Sequence, residues 1–456
     1  MRKHNRSMLE GPLLSGMISY TIPIMLTGIL QLLFNATDMV IVGQFRGSES
    51  VAAVGATGAL TNLILNLFMG MSVGTGVTVA HGIGGRQHMA IHKTVHTTLP
   101  LALVSGVILT VFGVSLSGTF LEMMGTDKDI LPLATTYMQI YFGGITFTMI
   151  YNFCAAILRS SGDTRSPLIF LIIAGGSNVV LNVIFITVFG MGVDGVALAT
   201  VISQAMSAML VVFALMRRTD ACKLELKKIR FYGAQLKKII SIGLPAGVQG
   251  SLFSISNVLI QSSVNSFGGM AMAGHAAAGN LDGFVYVIQN SFMQTTVNYV
   301  GQNAGAHQFG RIKKIVLNCT AMVTICGVIS GFALWYFGEP LLSIYLPSAA
   351  DAEAIRYGMT RLAVIGIPYF LCGIMEISTG ALRGIGSSVM PMILSIAGVC
   401  GFRIIWIMTI FQSYHTLDCL YFSYAVSWII TLTAQFVAFA YIYKKKKQKY
   451  LLHLDT

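Results

Sequence analysis

The chain has 456 residues, of which 55% are hydrophobic and only 10% are charged, and its formal net charge is +12. A soluble domain carries about 25% charged residues, so this composition excludes an ordinary water-soluble protein and indicates a protein embedded in a membrane. The seven cysteines contain no Cys-x-x-Cys pair, which argues against a disulfide framework or a zinc site.

Apolar runs long enough to cross about 30 Å of hydrocarbon recur along the whole chain. We therefore predict an all-α integral membrane protein with twelve transmembrane helices. In chain order the predicted spans are 16–42, 52–80, 94–118, 131–157, 167–189, 194–216, 239–266, 271–301, 315–337, 355–382, 389–412 and 419–443.

Lysine and arginine are distributed very unevenly among the loops between these spans. With the N-terminus inside, 24 of the 29 basic residues fall in inner segments, 3 in outer loops, and 2, Arg361 and Arg403, within spans. Because basic loops stay in the cytoplasm, we expect both termini to be cytoplasmic. This distribution also assigns the positive charge to topology and to membrane lipids rather than to a nucleic acid.

The longest polar connection, 217–238, separates two similar halves. The matching features, at offsets of 221 to 224 residues, are Pro23 with Pro245, VAHGIGGRQ (79–87) with VGQNAGAHQ (300–308), and ILRSSGDTRSP (157–167) with ALRGIGSSVMP (381–391). Matches in order at a nearly constant offset predict an internal duplication.

The duplication predicts an N-terminal lobe at 1–220, a cytoplasmic linker at 221–238 and a C-terminal lobe at 239–456. Each lobe would be a six-helix bundle, and an even number of spans makes the two bundles parallel repeats. A cavity is expected between the lobes, near the midplane of the membrane.

Catalytic motifs are not found in the sequence. It contains no Gly-Lys dipeptide and therefore no Walker A loop, and it contains no HExxH motif. Gly70-Met71-Ser72-Val73-Gly74 fits GxSxG, but it lies within a span, where helix packing is the better interpretation. His88, His92 and His96 share one helix face, which we interpret as a solvated cytoplasmic face rather than a zinc site. We predict no enzymatic activity.

Three carboxylates lie well inside predicted spans: Asp38, Asp282 and Glu376. A carboxylate within the membrane indicates a functional site by default. The repeat places Ile260, Thr61 and Asn152 at the corresponding positions, so none of the three acids has an acidic counterpart. We take Asp282 and Glu376 as candidates for a substrate cavity.

Asp38 has polar residues at a similar predicted depth in the same lobe. At 1.5 Å per residue, Asp38 lies roughly 6 Å below the outer end of its helix, Asn182 and Thr200 roughly 10 Å, and Asn178 roughly 16 Å. Their oxygen atoms suit a hard cation such as Na⁺, whereas an Asp in an apolar pocket can carry a proton instead. The residues leave both alternatives open.

Pro23 and Pro245 lie near the inner end of the first span of each lobe. Proline removes a helical hydrogen bond and kinks the helix. We take both as hinge candidates, because a bend in the first span would move Asp38; a static kink is the alternative.

Taken together, these residues resemble the MATE (multidrug and toxic compound extrusion) transporters, in particular Gram-positive-type bacterial members. The resemblance covers essentially the whole chain. It rests on Pro23 followed by FNATDMVIVGQ (34–44), on the four repeat motifs above, on MGVDGVALAT (191–200) and on GALRGIG (380–386).

The resemblance implies export of organic cations from the cytoplasm across the bacterial cytoplasmic membrane, coupled to Na⁺ or H⁺. It implies a cation site on spans one, five and six, where Asp38, Asn178 and Thr200 match the family's polar residues. Asn182 departs from the Asp that many relatives carry, and Phe253 and Cys372 stand where some branches carry acids.

We therefore expect a monomeric, cation-coupled antiporter without a cofactor. The alternative within the same superfamily is a flippase for lipid-linked precursors, which needs basic groups for a pyrophosphate. A channel is not excluded by the sequence, and an intramembrane enzyme lacks a nucleophile and base at matched depth.

Overall fold

The computed structural model of the chain describes residues 8–346 and 352–452, and within these residues the backbone is helical, without β-strands. The α-helices are α1 (Leu13–Arg46), α2 (Ser48–Gly84), α3 (His88–Met123), α4 (Leu131–Gly143), α5 (Ile145–Ser160), α6 (Arg165–Thr187), α7 (Val193–Met216), α8 (Gly233–Asn265), α9 (Gly269–Gly305), α10 (Phe309–Tyr336), α11 (Gly338–Tyr345), α12 (Ala352–Arg361), α13 (Phe370–Gly384), α14 (Val389–Ser395), α15 (Phe402–Met408), α16 (Ile410–Ser413) and α17 (Leu417–Leu452).

Each of the twelve predicted spans coincides with a helix or with consecutive helices. Among the described residues, ten helices are long and apolar enough to cross a membrane, and α4 with α5, bent by 47° around Gly144, form an eleventh. The remaining span, 271–301, is α9, a 37-residue helix that carries Asp282 and many amide and hydroxyl side chains. The predicted all-α membrane fold is confirmed.

Two spans in the second half contain irregular turns. Wide π-helical turns at Leu362–Gly366 and Ile396–Gly401 interrupt the α-helical hydrogen bonding between α12 and α13 and between α14 and α15. Such turns are commonly found at functional positions in helices. The basic and acidic residues at the two chain ends, 1–7 and 453–456, lie outside the described residues.

Positive φ angles confirm the internal repeat in the backbone itself. Among non-glycine residues that the structure describes, only Arg86 (φ 53°) and His307 (φ 56°) have this conformation, and they are repeat partners. The glycines show the same relation, in the pairs Gly47 (φ 80°) with Gly268 (φ 91°) and Gly162 (φ 92°) with Gly386 (φ 84°). Both halves therefore make the same turns at the same helix ends.

The described residues form two compact units, which share two helices. Unit 1 contains residues 26–247, and unit 2 contains residues 8–25 and 248–452. The boundaries fall within α1, two residues after Pro23, and within α8, two residues after Pro245. The N-terminal part of each helix thus packs in one unit and the remainder in the other. The predicted division at residues 221–238 stays a prediction.

In unit 1, α2 and the first part of α8 bring their backbones into contact. A Cβ atom at Gly70 would lie 2.1 Å from the Gly247 nitrogen, and one at Gly74 would lie 2.2 Å from the Ile239 carbonyl oxygen. One at Gly243 would lie 2.5 Å from the Met71 Cα atom. The glycines are thus required for close helix packing, as predicted from the sequence.

The connection between α7 and α8 is folded onto α3, also in unit 1. The Nε2 atom of His96 accepts a hydrogen bond of 3.0 Å from the Glu225 N–H, and Thr97 Oγ1 accepts one of 3.1 Å from the Tyr232 N–H. His96 is fully buried. The interpretation of the His88, His92 and His96 stripe as a solvated face is therefore wrong for His96, because the connection covers this part of the helix.

Candidate functional site

The candidate ion site lies in unit 1, where α1, α6 and α7 meet, and it contains all four residues predicted from their depth. Asn182 Nδ2 donates a hydrogen bond of 2.6 Å to Asp38 Oδ1 and one of 3.3 Å to Asn178 Oδ1. Asn178 Nδ2 donates in turn to Thr200 Oγ1 at 3.4 Å. Four side chains from three helices thus form one hydrogen-bonded chain.

The site is buried and leaves oxygen atoms free. Asp38 is 9% exposed, Asn178 5% and Asn182 0%. The Asn182 Oδ1 atom is buried without a hydrogen-bond partner among the described residues. The Asp38 carboxylate has Asn182 as its one side-chain partner in that part of the chain. A buried charge with a single hydrogen bond is unfavourable, and an unsatisfied amide oxygen beside it requires an explanation.

These atoms fit a hard cation. Carboxylate, carboxamide and hydroxyl oxygens are the ligands that such ions prefer, and both Asp38 and Asn182 retain an oxygen that has no hydrogen bond to a described residue. No group of three or more His, Cys, Asp or Glu residues in the described chain could hold a transition metal. The alternative occupant is a proton on Asp38, which would remove the buried charge.

Two contacts hold the second part of α1 against α6 and thereby position Asp38. A Cβ atom at Gly175 would lie 2.0 Å from Phe34 Cε2, so glycine allows the ring to reach the surface of α6. At the end of α1, Arg46 Nε donates a hydrogen bond of 2.8 Å to the Met191 carbonyl, in the turn between α6 and α7. From the sequence, Arg46 is one of the three basic residues of the outer loops, and nothing in its pattern indicates this contact.

α7 begins at a fixed position because of Asp194. Its Oδ1 atom accepts a hydrogen bond of 2.7 Å from the Gly192 N–H, just before the first turn of the helix. Thr200 Oγ1 donates to the Val196 carbonyl at 3.0 Å, which fixes the rotamer of its side chain. The hydroxyl oxygen therefore faces Asn178.

The other two intramembrane acids lie in unit 2, and each faces a different arginine. Asp282 forms an ion pair with Arg361, with 3.0 Å between Oδ2 and Nε. Glu376 is 5% exposed and has no hydrogen bond or ion pair among the described residues, and Arg383 is the opposite charge that acts on it. Their role as a substrate cavity stays a prediction.

Unit 2 also buries two arginines that form no ion pair among the described residues, although the charge of Glu376 acts on Arg383. Arg383 Nη2 donates a hydrogen bond of 2.8 Å to Gln249 Oε1, and its buried Nε has no partner in that part of the chain. Arg403 donates to Ser427 Oγ at 3.1 Å and lies 3.8 Å from the centre of the Tyr424 ring. Arg403 could be recognised from the sequence, because it is an arginine within a predicted span.

Comparison with known proteins decides the family. The MatE family model matches residues 23–184 and again residues 245–409, which together make up more than half of the chain. The chain is a member of the MatE family. The two matches begin at Pro23 and Pro245, so the family model itself covers both copies of the repeat.

Similar proteins match over most of their length. "Probable multidrug resistance protein YoeA" of Bacillus subtilis is 24% identical over 94% of this chain and 94% of its own. "Probable multidrug resistance protein NorM" of Thermotoga maritima is 26% identical over 84% of this chain and 82% of its own. As MatE-family proteins are membrane transporters, this chain is a transporter and not an enzyme.

A solved structure supports the same fold. It is described as the "Outward-facing conformation of a multidrug resistance MATE family transporter of the MOP superfamily". Its TM-score with this MatE protein is 0.89, at 22% identity, over 98% of this chain and 100% of the other. The predicted resemblance to a bacterial MATE transporter is therefore confirmed for the family and the fold.

Proposed function

We propose that this MatE transporter is an antiporter that exports organic cations, drugs or metabolites, from the cytoplasm in exchange for H⁺ or Na⁺. The observation that carries the proposal is the buried Asp38 carboxylate, which has one hydrogen bond and lies beside the unpartnered Asn182 oxygen. The names of its relatives, two of them probable multidrug resistance proteins, support drugs as cargo.

In this proposal Asp38, Asn178, Asn182 and Thr200 bind the coupling ion. The ion neutralises Asp38 and takes the free oxygen of Asn182, which draws α1 towards α6 and α7. Export requires that the ion bind more strongly in one of two alternating states, because equal binding shifts no equilibrium. Pro23 and Pro245 are the proposed hinges, and both termini are proposed to be cytoplasmic.

The test uses the purified full chain in lipid vesicles loaded with a fluorescent organic cation. Asp38→Asn removes the charge and keeps the shape of the side chain, so we expect loss of gradient-driven efflux, by at least tenfold. Glu122→Gln is the matched control, because Glu122 is an exposed acid in the same unit. Full coupled export by Asp38→Asn would overturn the proposed role of the site.

The coupling ion is decided by two gradients. Dye efflux is measured once with an imposed Na⁺ gradient at equal pH and once with an imposed pH gradient without Na⁺. A response to Na⁺ alone supports a cation held by the free oxygens, and a response to pH alone supports a proton on Asp38. Efflux that responds to neither gradient contradicts antiport.

A second candidate function, flipping of a lipid-linked precursor, is favoured by one observation. Arg403 is buried in unit 2 without a carboxylate partner among the described residues, as a site for an anionic headgroup would require, whereas the charge of Glu376 acts on Arg383. Translocation of an isoprenoid-linked sugar pyrophosphate, measured beside dye efflux in the same vesicles, separates the two functions. Activity towards the lipid without dye efflux would favour the flippase.

A further inference from the structure

A second buried polar cluster, in unit 2, joins three helices around a histidine. His275 and Asp282 lie on α9, Arg361 at the end of α12, and Tyr421 on α17. His275 is 7% exposed, Asp282 3% and Tyr421 0%. No residue of this cluster belongs to the proposed ion site, which lies in unit 1.

The hydrogen bonds of the cluster determine the tautomer of His275. Arg361 Nε donates to Asp282 Oδ2 at 3.0 Å, and its Nη1 lies 2.6 Å from His275 Nε2. A guanidinium has only donors, so His275 Nε2 must be the acceptor and carry no proton. The proton is therefore on Nδ1, which donates to the Tyr421 hydroxyl at 3.0 Å.

The surface of α9 is shaped to receive the guanidinium. A Cβ atom at Gly279 would lie 3.4 Å from Arg361 Nη2, so the absence of a side chain there allows the flat group to lie against the helix. One turn earlier, a Cβ atom at Gly274 would lie 2.1 Å from the Ala354 carbonyl oxygen, which shows that α9 and α12 touch through their backbones. The cluster is thus a built contact between these two helices.

The charges that face His275 come from its own helix, from α12 and from α17. The Arg361 cation and the Tyr421 hydroxyl contact His275 directly, and the Asp282 carboxylate acts through Arg361. Tyr424 and Asp418, each three residues from Tyr421 on α17, act on Arg361 and Tyr421 respectively. Asp282 Oδ1 is buried without a partner among the described residues. One permanent cation therefore lies between one carboxylate and one imidazole that is neutral in this arrangement.

We propose that His275 is a proton-binding site that competes with Arg361 and so controls the contact between α9 and α12. A proton from solvent can bond only to the Nε2 lone pair, and the resulting N–H would point at the Nη1–H of Arg361. The two donors repel each other, so protonation breaks the hydrogen bond between His275 and Arg361. α12 then keeps the Asp282 ion pair, the hydrogen bond of 3.2 Å from Arg361 Nη1 to the His275 carbonyl and its packing contacts, and with one hydrogen bond fewer it separates from α9 more readily.

Hydrogen exchange of the full chain in lipid nanodiscs tests this proposal. After correction for the intrinsic pH dependence of exchange, we expect protection of residues 352–361 to fall at least tenfold between pH 7.5 and pH 5.0. His275→Gln retains an acceptor that cannot be protonated, and its protection should change less than twofold. His275→Asn serves the same purpose if the glutamine variant does not fold.

Two controls distinguish the proposal from other effects of acid. His88→Gln removes an exposed histidine of unit 1, and it should leave the tenfold change intact. Asp38→Asn should also leave it intact, so this result is independent of the proposed antiport. A pH-independent wild type, or an equal change in His275→Gln, would overturn the proposal. A ¹⁵N-histidine spectrum that shows His275 protonated on Nε2 at pH 7.5 would overturn it as well.

Discussion

Thr21 of α1 and Thr295 of α9 share a hydrogen bond of 2.8 Å between their hydroxyl groups. The internal repeat pairs these positions with Gly243 of α8 and Gly74 of α2. A Cβ atom at Gly74 would lie 2.8 Å from the Gly243 nitrogen, so the equivalent contact in unit 1 is between bare backbones. The duplication has kept the contact and changed its chemistry.

The glycine contact should be the less tolerant of the two. We expect Gly74→Val to lower the free energy of unfolding by at least about 1 kcal/mol, because the new side chain must displace the backbone of α8. The measurement is the thermal unfolding midpoint of the purified chain in detergent. Gly58→Val is the matched control on α2, since a Cβ atom at Gly58 meets nothing within 4 Å. Equal losses in both variants would contradict this prediction.

The threonine contact should tolerate substitution. Each hydroxyl has one proton, so only one threonine can donate across this contact while the other donates to the carbonyl four residues earlier in its own helix, at 2.7 Å for Thr21 or 2.9 Å for Thr295. We therefore expect Thr21→Val and Thr295→Val to show a coupling energy of only about 0.6 kcal/mol in a double-mutant cycle, as is typical inside membranes. A coupling energy well above 2 kcal/mol would show that this hydrogen bond is a principal contact of α1.

The features that were predicted correctly from the sequence are those that depend on local pattern. A span needs only a long apolar run, and the repeat needs only ordered motifs. The rise of a helix is fixed, so Asp38 and Asn182 could be predicted to lie at a similar depth, and the structure shows the hydrogen bond of 2.6 Å between them.

The contacts that could not be predicted depend on which side of each helix faces its neighbours and on where the loops lie. The ion pair of Asp282 with Arg361 joins residues 79 positions apart, and either side chain could have faced another helix. His96 is covered by a polar connection 129 residues later in the chain, for which helical periodicity gives no information. Arg46 reaches a carbonyl in a turn, and backbone acceptors leave no signal in side-chain patterns.

Arg46 should stabilise the geometry of the candidate ion site from a distance. We expect Arg46→Ala to reduce coupled efflux several-fold and to raise hydrogen exchange at residues 188–192, because the turn between α6 and α7 loses a hydrogen bond from a charged donor. Arg356→Ala removes an exposed arginine elsewhere and serves as the control. Unchanged exchange at 188–192 would show that the turn is held by other contacts.

The connection between α7 and α8 should be released when its contacts to α3 are removed. It carries eight Lys and Arg residues between positions 217 and 238, so it offers many sites for trypsin. We expect cleavage of native His96→Ala to be at least five times faster than cleavage of wild type, because the Glu225 N–H loses its acceptor and the ring leaves a cavity. His88→Ala, in the exposed part of the stripe, should be cleaved at the wild-type rate. Equal rates for all three proteins would mean that this connection is open in solution.

Asn182→Asp tests whether the unpartnered oxygen of Asn182 lies where a cation binds. The new carboxylate would lie beside Asp38 at about the 2.6 Å that separates Asn182 Nδ2 from Asp38 Oδ1. Two ionised carboxylates cannot share this space without a cation or a proton between them. We therefore expect the variant to become strongly dependent on Na⁺ for efflux at pH 8 and to need less Na⁺ at pH 6, where a proton can take its place. Asn178→Asp adds the same charge one residue further from Asp38, because its side chain reaches Asp38 only through Asn182, so we expect a weaker dependence on Na⁺. A variant whose efflux ignores Na⁺ at both pH values would show that the pair accepts only protons, and Asp38 would then be a proton carrier rather than a sodium ligand.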